Sequence, residues 1–446
     1  MKLKSAIRYV LLILSVICIS IYLISRQWEI QVGFERFALY LYPNENNRNA
    51  ELFKILLTVI GGMGVFYSLH LAYRRAKATD KSLILQSQAI NKQSEQLELS
   101  RKGQVDERFK NAIEHLGNDK EPIILGGIVE LHQIAREDQL AYSAVVFNIL
   151  TSYLRTVLKV DVPREDNFSH TIPQTIIDFL FRGDDSALYR KCKANLSYCN
   201  FNSLDINDCK FIDSDFSFSL MPMYVRNVNF ENSKFSRTNF TISRISDSNF
   251  RNTDMHNNLF QLCEFKNVDF WKSKMYSQLF INAKIYDCQF FNANLYNSRF
   301  LLCHLENSYF SHADLLNTNF LGCNFTNIDF SENKTISKID FTGSGFYEVT
   351  FGSQCFECNF SGARQIFQFD YIQPKDLELL IGKKNNIAGI KELPGNHFLS
   401  CQWDDFTKAD FDKINSEFNN ARTEWTEKYG SLKKTIKSRT TKNKLK

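Results

Sequence analysis

From Phe230 to Phe330 every fifth residue is Phe, Ile, Met or Leu, 21 times without a miss, and 14 of these centres are Phe. Two positions before each centre the residue is Ala, Ser, Thr, Cys or Val in 18 of 21 cases; the exceptions are Asn258, Gln278 and Ile328. Asn or Asp stands one before the centre ten times, as in Asn294–Leu295 and Asp314–Leu315. A period of five matches neither a helix at about 3.6 nor a strand at about 2. It demands a backbone that returns the same side chain inward every fifth residue. Four such segments, turned at about right angles, close a coil of about twenty residues whose neighbours pair edge to edge and stack identical core layers.

The pattern extends outward with changes of phase. Leu196, Phe201, Ile206, Phe211, Phe216 and Met221 keep one phase, and a four-residue step leads to Val225. Beyond Phe330 it shifts to Ile336, Phe341, Phe346, Phe351 and Phe356. About eight coils are expected.

Ahead of the repeat the pattern changes twice. Residues 9–24 carry no charge, and Ile55 to Tyr73 carries none apart from titratable His70. Helices of about 6–25 and 54–74 therefore approach the ~20 apolar residues needed to cross a bilayer. Trp28, Tyr40 and Tyr42 in the intervening loop suit an interfacial belt. Gly64 and Ser68 offer a small pair on the second helix. Lys2, Lys4 and Arg8 precede the first helix, and Arg74, Arg75, Lys77 and Lys81 follow the second. That bias puts both termini in the cytoplasm. SRQWE follows Ile24 with no small-x-small pattern, so a cleaved leader is not expected.

From Ala78 to Gly117 the chain is rich in Gln, Lys, Glu and Leu, with Leu83, Ile90 and Leu97 at sevenfold spacing. The positions between are mostly polar, so this reads as a helical stalk rather than a coiled coil. Pro122 suits a first helical turn, and Ile124, Ile128, Leu131 and Ala135 share a face. A second helix, about 139–158, places Val145, Ile149, Tyr153 and Val157 at steps of four, completing an antiparallel hairpin. His115 and His132 read as structural histidines.

Composition adds one point: 39 Phe in 446 residues answer to the repeat. The net charge of +5 comes from the tail, where Lys433 to Lys446 holds seven basic residues and no acid. Without a basic field over the body, nucleic acid is not an expected partner; the tail could touch anionic lipid.

Runs such as Ala293-Asn294-Leu295-Tyr296-Asn297 and Ala313-Asp314-Leu315-Leu316-Asn317 resemble the A(D/N)LXX unit of pentapeptide-repeat proteins. The stretch from Glu107 to Gln139 resembles the helical region before the repeats in bacterial membrane-anchored members. The resemblance implies a bacterial source and a right-handed quadrilateral β-helix, and it implies no single activity.

Candidate chemistry is sparse. Cys199, Cys209, Cys263, Cys288, Cys303, Cys323 and Cys358 all fall two before a centre, where Cys acts as a small buried hydrophobe. Cys355-x-x-Cys358 and His397-x-x-x-Cys401 have zinc-like spacing within each pair, but Cys358 already fills an inward slot. No cofactor is expected. No nucleophile–base constellation is legible, and His256, His304 and His312 read as surface histidines. The slot after each centre points outward; it reads Trp271, Tyr276, Ile281, Tyr286, Phe291, Tyr296 and Leu301, whereas upstream it is polar. Such a patch marks a protein-binding surface or an aromatic ladder between coils.

The expected organisation is a transmembrane hairpin over 1–77, a cytoplasmic helical stalk and hairpin over 78–190, the solenoid over 191–366, and a C-terminal cap, amphipathic helix and basic tail over 367–446. That helix, with Phe406, Phe411, Ile414 and Phe418, is expected to cap the last coil. The function expected is a non-enzymatic, multi-pass scaffold of the bacterial inner membrane that binds a protein or itself through the solenoid. The alternatives are sensing or transport through the hairpin, and mimicry of DNA. Mimicry needs a strongly acidic rod, and residues 194–360 sum to only about −4.

Overall fold

The computed structural model describes residues 2–44, 46–160, 170–333, 336–351, 354–366, 377–378, 381, 390–391 and 397–429. The basic tail lies outside them. Two compact units result, Met1–Gly103 and Gln104–Lys446.

The first unit is helical. Helix α1 spans Lys2–Ser25, α2 spans Gln27–Leu41 and α3 begins at Arg48. The segment read as a loop is thus a helix, with Trp28 and Tyr40 exposed on it. Helix α3 runs unbroken to Leu116, so the second apolar run and the polar stretch after it are one helix. Among the described residues α3 is the one helix long and apolar enough to cross a membrane; Leu14–Ser25 is apolar but shorter.

The second unit opens with α4 (Glu121–Glu137) and α5 (Gln139–Val157). Pro122 lies in the first turn of α4, and Asp138 caps α5 by accepting from the Ala141 N–H at 3.1 Å. Ile124, Ile128, Leu131 and Ala135 are buried. On α5 the buried stripe is Val146, Phe147, Leu150 and Leu154, one position round from the one expected; Val145 is 45% exposed. A third helix, α6 (Thr171–Phe181), and a short 3-10 turn follow. They set the facing direction of α5: Phe147 meets Phe181 edge-on and Tyr189 tilted, at 5.8 and 5.7 Å.

These helices close the first coil of a β-solenoid. Phe181 packs on Phe211 at 4.4 Å. Lys210 N donates to Phe181 O and Asn200 N to Leu158 O, both at 2.7 Å, satisfying backbone groups at the open edge. One buried apolar cluster runs from Ala112 of α3 to Ala363.

Successive coils pair in parallel along four rows. The Val225 row holds eight strands, with Val225↔Ile245, Ile245↔Phe265 and onward to Phe346↔Gln365. The Phe240 row pairs Phe260↔Phe280↔Phe300↔Phe320. The Phe230 and Phe235 rows are joined by single bridges such as Asp269↔Gln289 and Lys274↔Asn294. The twenty-residue register is therefore that of the sequence pattern. The four-residue step at Met221 also appears, as Lys210↔Asn229 and Leu220↔Asn239.

The geometry of one coil follows from its positions. Centres point inward: Phe270, Phe290 and Phe310 stack at 5.0 and 4.6 Å with interplanar angles of 12° and 5°. Two residues after each centre the backbone is left-handed, as at Asn232 (φ 60°), Asn252 (55°), Asp287 (54°) and Asn317 (60°). Asn and Asp tolerate that region and make the corner. Leu262 (55°) adopts it without that aid. One before the centre, Asx side chains cap the turn: Asp269 accepts from Trp271 N at 2.9 Å and Asn294 from Tyr296 N at 3.0 Å. Small residues two before the centre donate to the coil below, as Ser298 Oγ does to Met275 O at 2.9 Å. The exceptions Asn258 and Gln278 are buried and hydrogen-bonded: Asn258 Oδ1 accepts from Thr238 N at 2.7 Å, and Gln278 Nε2 donates to Met255 O at 2.6 Å.

Three expectations at the C-terminal end are corrected. Phe356 is not a centre. Cys355 pairs with Ile336 and is buried, while Phe356 is 39% exposed, because the step from Phe351 is four residues and the next centre is Phe360. The ladder continues past 366: Ile390–Lys391 and His397–Leu399 add parallel strands, and Trp403 stacks on Phe360 at 4.3 Å and 7°. The last coil is closed by this strand, so helix α7 (Lys408–Tyr429) does not cap it. It lies instead along the flank of the Phe240 row. Phe406 packs against Gly362 and Gly343, where any Cβ would clash with its ring. At the far end Trp425 Nε1 donates to Asn257 O at 2.7 Å. Phe411, Ile414, Ala421 and Trp425 are buried there with Leu259, Leu279 and Leu321.

Candidate interaction surface

The seven outward residues divide by row. Ile281 and Leu301 follow centres of the Phe240 row and lie under α7, 1% and 0% exposed. They belong to an internal contact, which corrects their reading as free surface. Leu259 and Leu279, one before the centre, contribute as much to that contact, and a scan of the slot after the centre misses them.

Tyr286 follows a centre of the Val225 row. It is half-buried, meets His304 edge-on at 5.7 Å, and its hydroxyl is shifted upward by burial and then by Glu264 and Glu306.

The remaining four occupy two adjacent rows. Trp271 and Phe291 lie outside the Phe230 row; Tyr276 and Tyr296 lie outside the Phe235 row. The Trp271 ring carries cations, with Lys272 Nζ 4.1 Å and Arg251 Cζ 5.9 Å from its centroid. Arg251 is held by Asp269 at 2.5 Å. Phe291 meets His312 edge-on at 5.3 Å. Tyr276 stacks on His256 at 5.0 Å and 5°. Tyr296 and Leu316 are exposed, as is Tyr309, which the register puts one before a centre.

One constellation was not legible in the sequence. Ser236 Oγ lies 2.7 Å from His256 Nε2, and His256 Nδ1 lies 3.0 Å from Asp254 Oδ1. That is the hydrogen-bond order of a nucleophilic triad, assembled from residues twenty apart by stacking of coils. The backbone does not complete it. The N–H after the serine, at Arg237, already donates to His256 O at 2.9 Å, so it is not aimed at a developing oxyanion. The Tyr276 ring covers one face of His256. The chain of bonds ties one coil to the next.

The zinc-like residues converge partly. Cys401 Sγ lies 3.5 Å from Cys355 O, and a parallel bridge at Asn359↔Gln402 sets Cys358 beside Cys401. The hydrogen bond with Cys358 brings the Cys401 thiol down to about 7, while burial pushes Cys355 up to about 12. His397 pairs its backbone with Gln354. Among the described residues searched, no group of three or more His, Cys, Asp or Glu could hold a metal ion.

In the helical cap, His132 is buried between Phe179, stacked at 4.4 Å, and the Tyr189 hydroxyl, 2.9 Å from Nδ1. Burial is the main influence on it and lowers its affinity for a proton.

The family model for pentapeptide repeats matches residues 226–261 and 288–327, with 8 copies. Among solved structures, the chain is similar to a pentapeptide repeat protein (Rfr23) from the cyanobacterium Cyanothece 51142, at 16% identity and a TM-score of 0.18, over 21% of this chain and 59% of that one. It is similar to QnrB1, a plasmid-mediated fluoroquinolone resistance protein, at 12% identity and 0.22, over 43% and 88%. It is similar also to HetL, involved in heterocyst differentiation regulation in the cyanobacterium Nostoc sp. strain PCC 7120, at 11% and 0.20, over 47% and 86%. The chain thus spans less than two thirds of the first of these. No curated protein matches it.

Proposed function

We propose that this pentapeptide-repeat protein is a non-enzymatic, membrane-tethered scaffold whose solenoid binds a protein partner through Trp271, Tyr276, Phe291 and Tyr296. The observation that carries the reading is what the molecule does with its other outward apolar row. Along the Phe240 row, exposed aliphatic residues of stacked coils dock an amphipathic helix of the same chain. The neighbouring aromatic rows offer a surface of the same construction that α7 leaves uncovered. Aromatic side chains contribute most where they are desolvated at the centre of an interface. The cations around Trp271 favour a partner that brings carboxylates beside its apolar anchors.

The tether is the apolar part of α3, with α1 as its companion. Basic flanks on one side of both runs support a bacterial inner membrane, multi-pass topology with both termini cytoplasmic. The right-handed, four-sided coil implied by the resemblance belongs to the same proposal.

The test is the paired change Trp271→Ser with Tyr296→Ser. Cross-linking in membranes should lose the partner species while the melting temperature stays within about 2 °C of the parent, as expected of exposed sites. Unfolding of the variant would make these residues inter-coil ladders. Retention of every cross-linked species would remove the surface from consideration.

A further inference from the structure

Helix α3 is where the structure leaves most unexplained. From residue 72 to 104 every position is exposed, and the helix is solvated on all sides. Leu83, Ile90 and Leu97 are 56%, 58% and 65% exposed. A helix that packs on nothing gains little from tertiary contact, and polar helices persist through ion-pair networks or a partner. Among the described residues this stretch has one i,i+4 ion pair, Lys102 with Glu98 at 3.2 Å.

The distribution of charge says which partner fits. Counting in sevens from Ile55 gives Ile55, Gly62, Leu69, Ala76, Leu83, Ile90 and Leu97. The companion positions three further on run from Thr58 through Val65 and Ala72 to Gln86, Gln93 and Ser100. None of these positions is charged. The charges of the stalk fall elsewhere; between Ser82 and Ser100 they are Lys92, Glu95 and Glu98, all on the opposite side. Leu85 and Leu99 are the aliphatic residues outside the stripe with charges for neighbours. One uncharged seam therefore runs along the helix from the apolar stretch into the polar one. A seven-residue seam matches a supercoiled neighbour of the same period.

A second observation points the same way. Gly61 and Gly62 sit in the helix interior, where each costs roughly 1 kcal/mol relative to Ala. A Cβ at either would meet nothing within 4 Å. Nothing inside the chain requires them, whereas close approach of another helix does.

We infer that α3 pairs with α3 of a second copy of this chain, parallel and in register, through the seam of Gly62, Leu69, Ala76, Leu83, Ile90 and Leu97. The in-register, parallel arrangement follows from the membrane tether proposed above; the seam itself follows from the charge pattern. Pairing would hold two solenoids together independently of the aromatic surface.

The test uses the full chain in isolated membranes, with exposed Cys18 replaced by Ser. Single cysteines are placed on the seam (Ile90→Cys, Leu97→Cys) and on its back (Gln88→Cys, Glu95→Cys), and oxidised with copper phenanthroline. Dimer-sized species from both seam variants, and from neither back variant, are expected. Cross-linking at only one seam position, as an antiparallel crossing would give, overturns the register. Equal cross-linking front and back, or none anywhere, overturns the pairing. As a second measurement, Ile90→Lys with Leu97→Lys should shift the nanodisc-reconstituted protein from two copies to one with the solenoid melting unchanged. An unchanged copy number sinks the inference. Membrane fractionation of each variant reports on the tether separately.

Discussion

At the scale of single residues, each slot of the five-residue unit has its own energetics. Phe290 is 1% exposed and stacked on both sides, so Phe290→Ala should cost about 3–5 kcal/mol in denaturant unfolding through the cavity left behind. Leu262 holds a left-handed φ of 55° and is 43% exposed, so Leu262→Asn should stabilise by about 0.5–1 kcal/mol. A lowered midpoint there would mean that its side-chain contacts outweigh the backbone strain. Two buried histidines set a pH dependence. Burial lowers the proton affinity of His132, and burial with Lys284 takes His304 down to about 4. The unfolded chain then binds protons that the folded one refuses. Stability is full above the unfolded imidazole value of about 6.5 and falls as pH drops from there toward 4. Melting at pH 7.5 and pH 5 checks this; replacing His304 with Asn should flatten part of the slope. The inward and outward slots were legible in the sequence, because burial at a fixed period needs no other information. The Ser236–His256–Asp254 chain was not, since it depends on which side chains of stacked coils reach one another. An activated serine-hydrolase probe should leave Ser236 unlabelled; labelling would overturn the non-enzymatic reading.

At the scale of elements, α7 is the informative case. Its apolar face was plain from Phe406, Phe411, Ile414 and Phe418, but its destination was not. An amphipathic helix fits any apolar surface of the right length. What decides between the end of the rod and its flank is that residues 397–403 add a strand that closes the end, and that Leu259, Leu279, Ile281, Leu301 and Leu321 build a long aliphatic strip. Ile414→Asp should therefore release α7, and the measurable consequence is dye binding to the exposed strip without loss of the β signal. Unchanged dye binding would place the helix elsewhere. Helix α6 escaped notice for a related reason: TIPQTIIDFLF is short and apolar with adjacent β-branched residues, which suits a strand as well as a helix. Its presence rotates α5, so that Phe147 and Leu150 face inward where a two-helix hairpin would bury Ile149 and Tyr153.

At the scale of the whole molecule, the question is which side of a membrane each unit occupies. Lys2 and Lys4 lie before the first apolar run, and Arg74, Arg75, Lys77 and Lys81 lie just after the second, while Arg26, Arg36 and Arg48 between them are balanced by Glu29, Glu35 and Glu45. Translocation follows the basic excess near the ends of the spans, and acids count for little. The turn after α2 is then the part that crosses. Trp28 and Tyr40, exposed on α2, suit the headgroup layer on that side. A cysteine placed at Asn46 in a Cys18→Ser background should react with an impermeant maleimide added to intact cells, whereas one placed at Gln88 should react only after permeabilisation. The opposite pattern would invert the topology and put the solenoid outside. Reaction of both in intact cells would mean that α3 does not span at all, and the scaffold would then act without its tether.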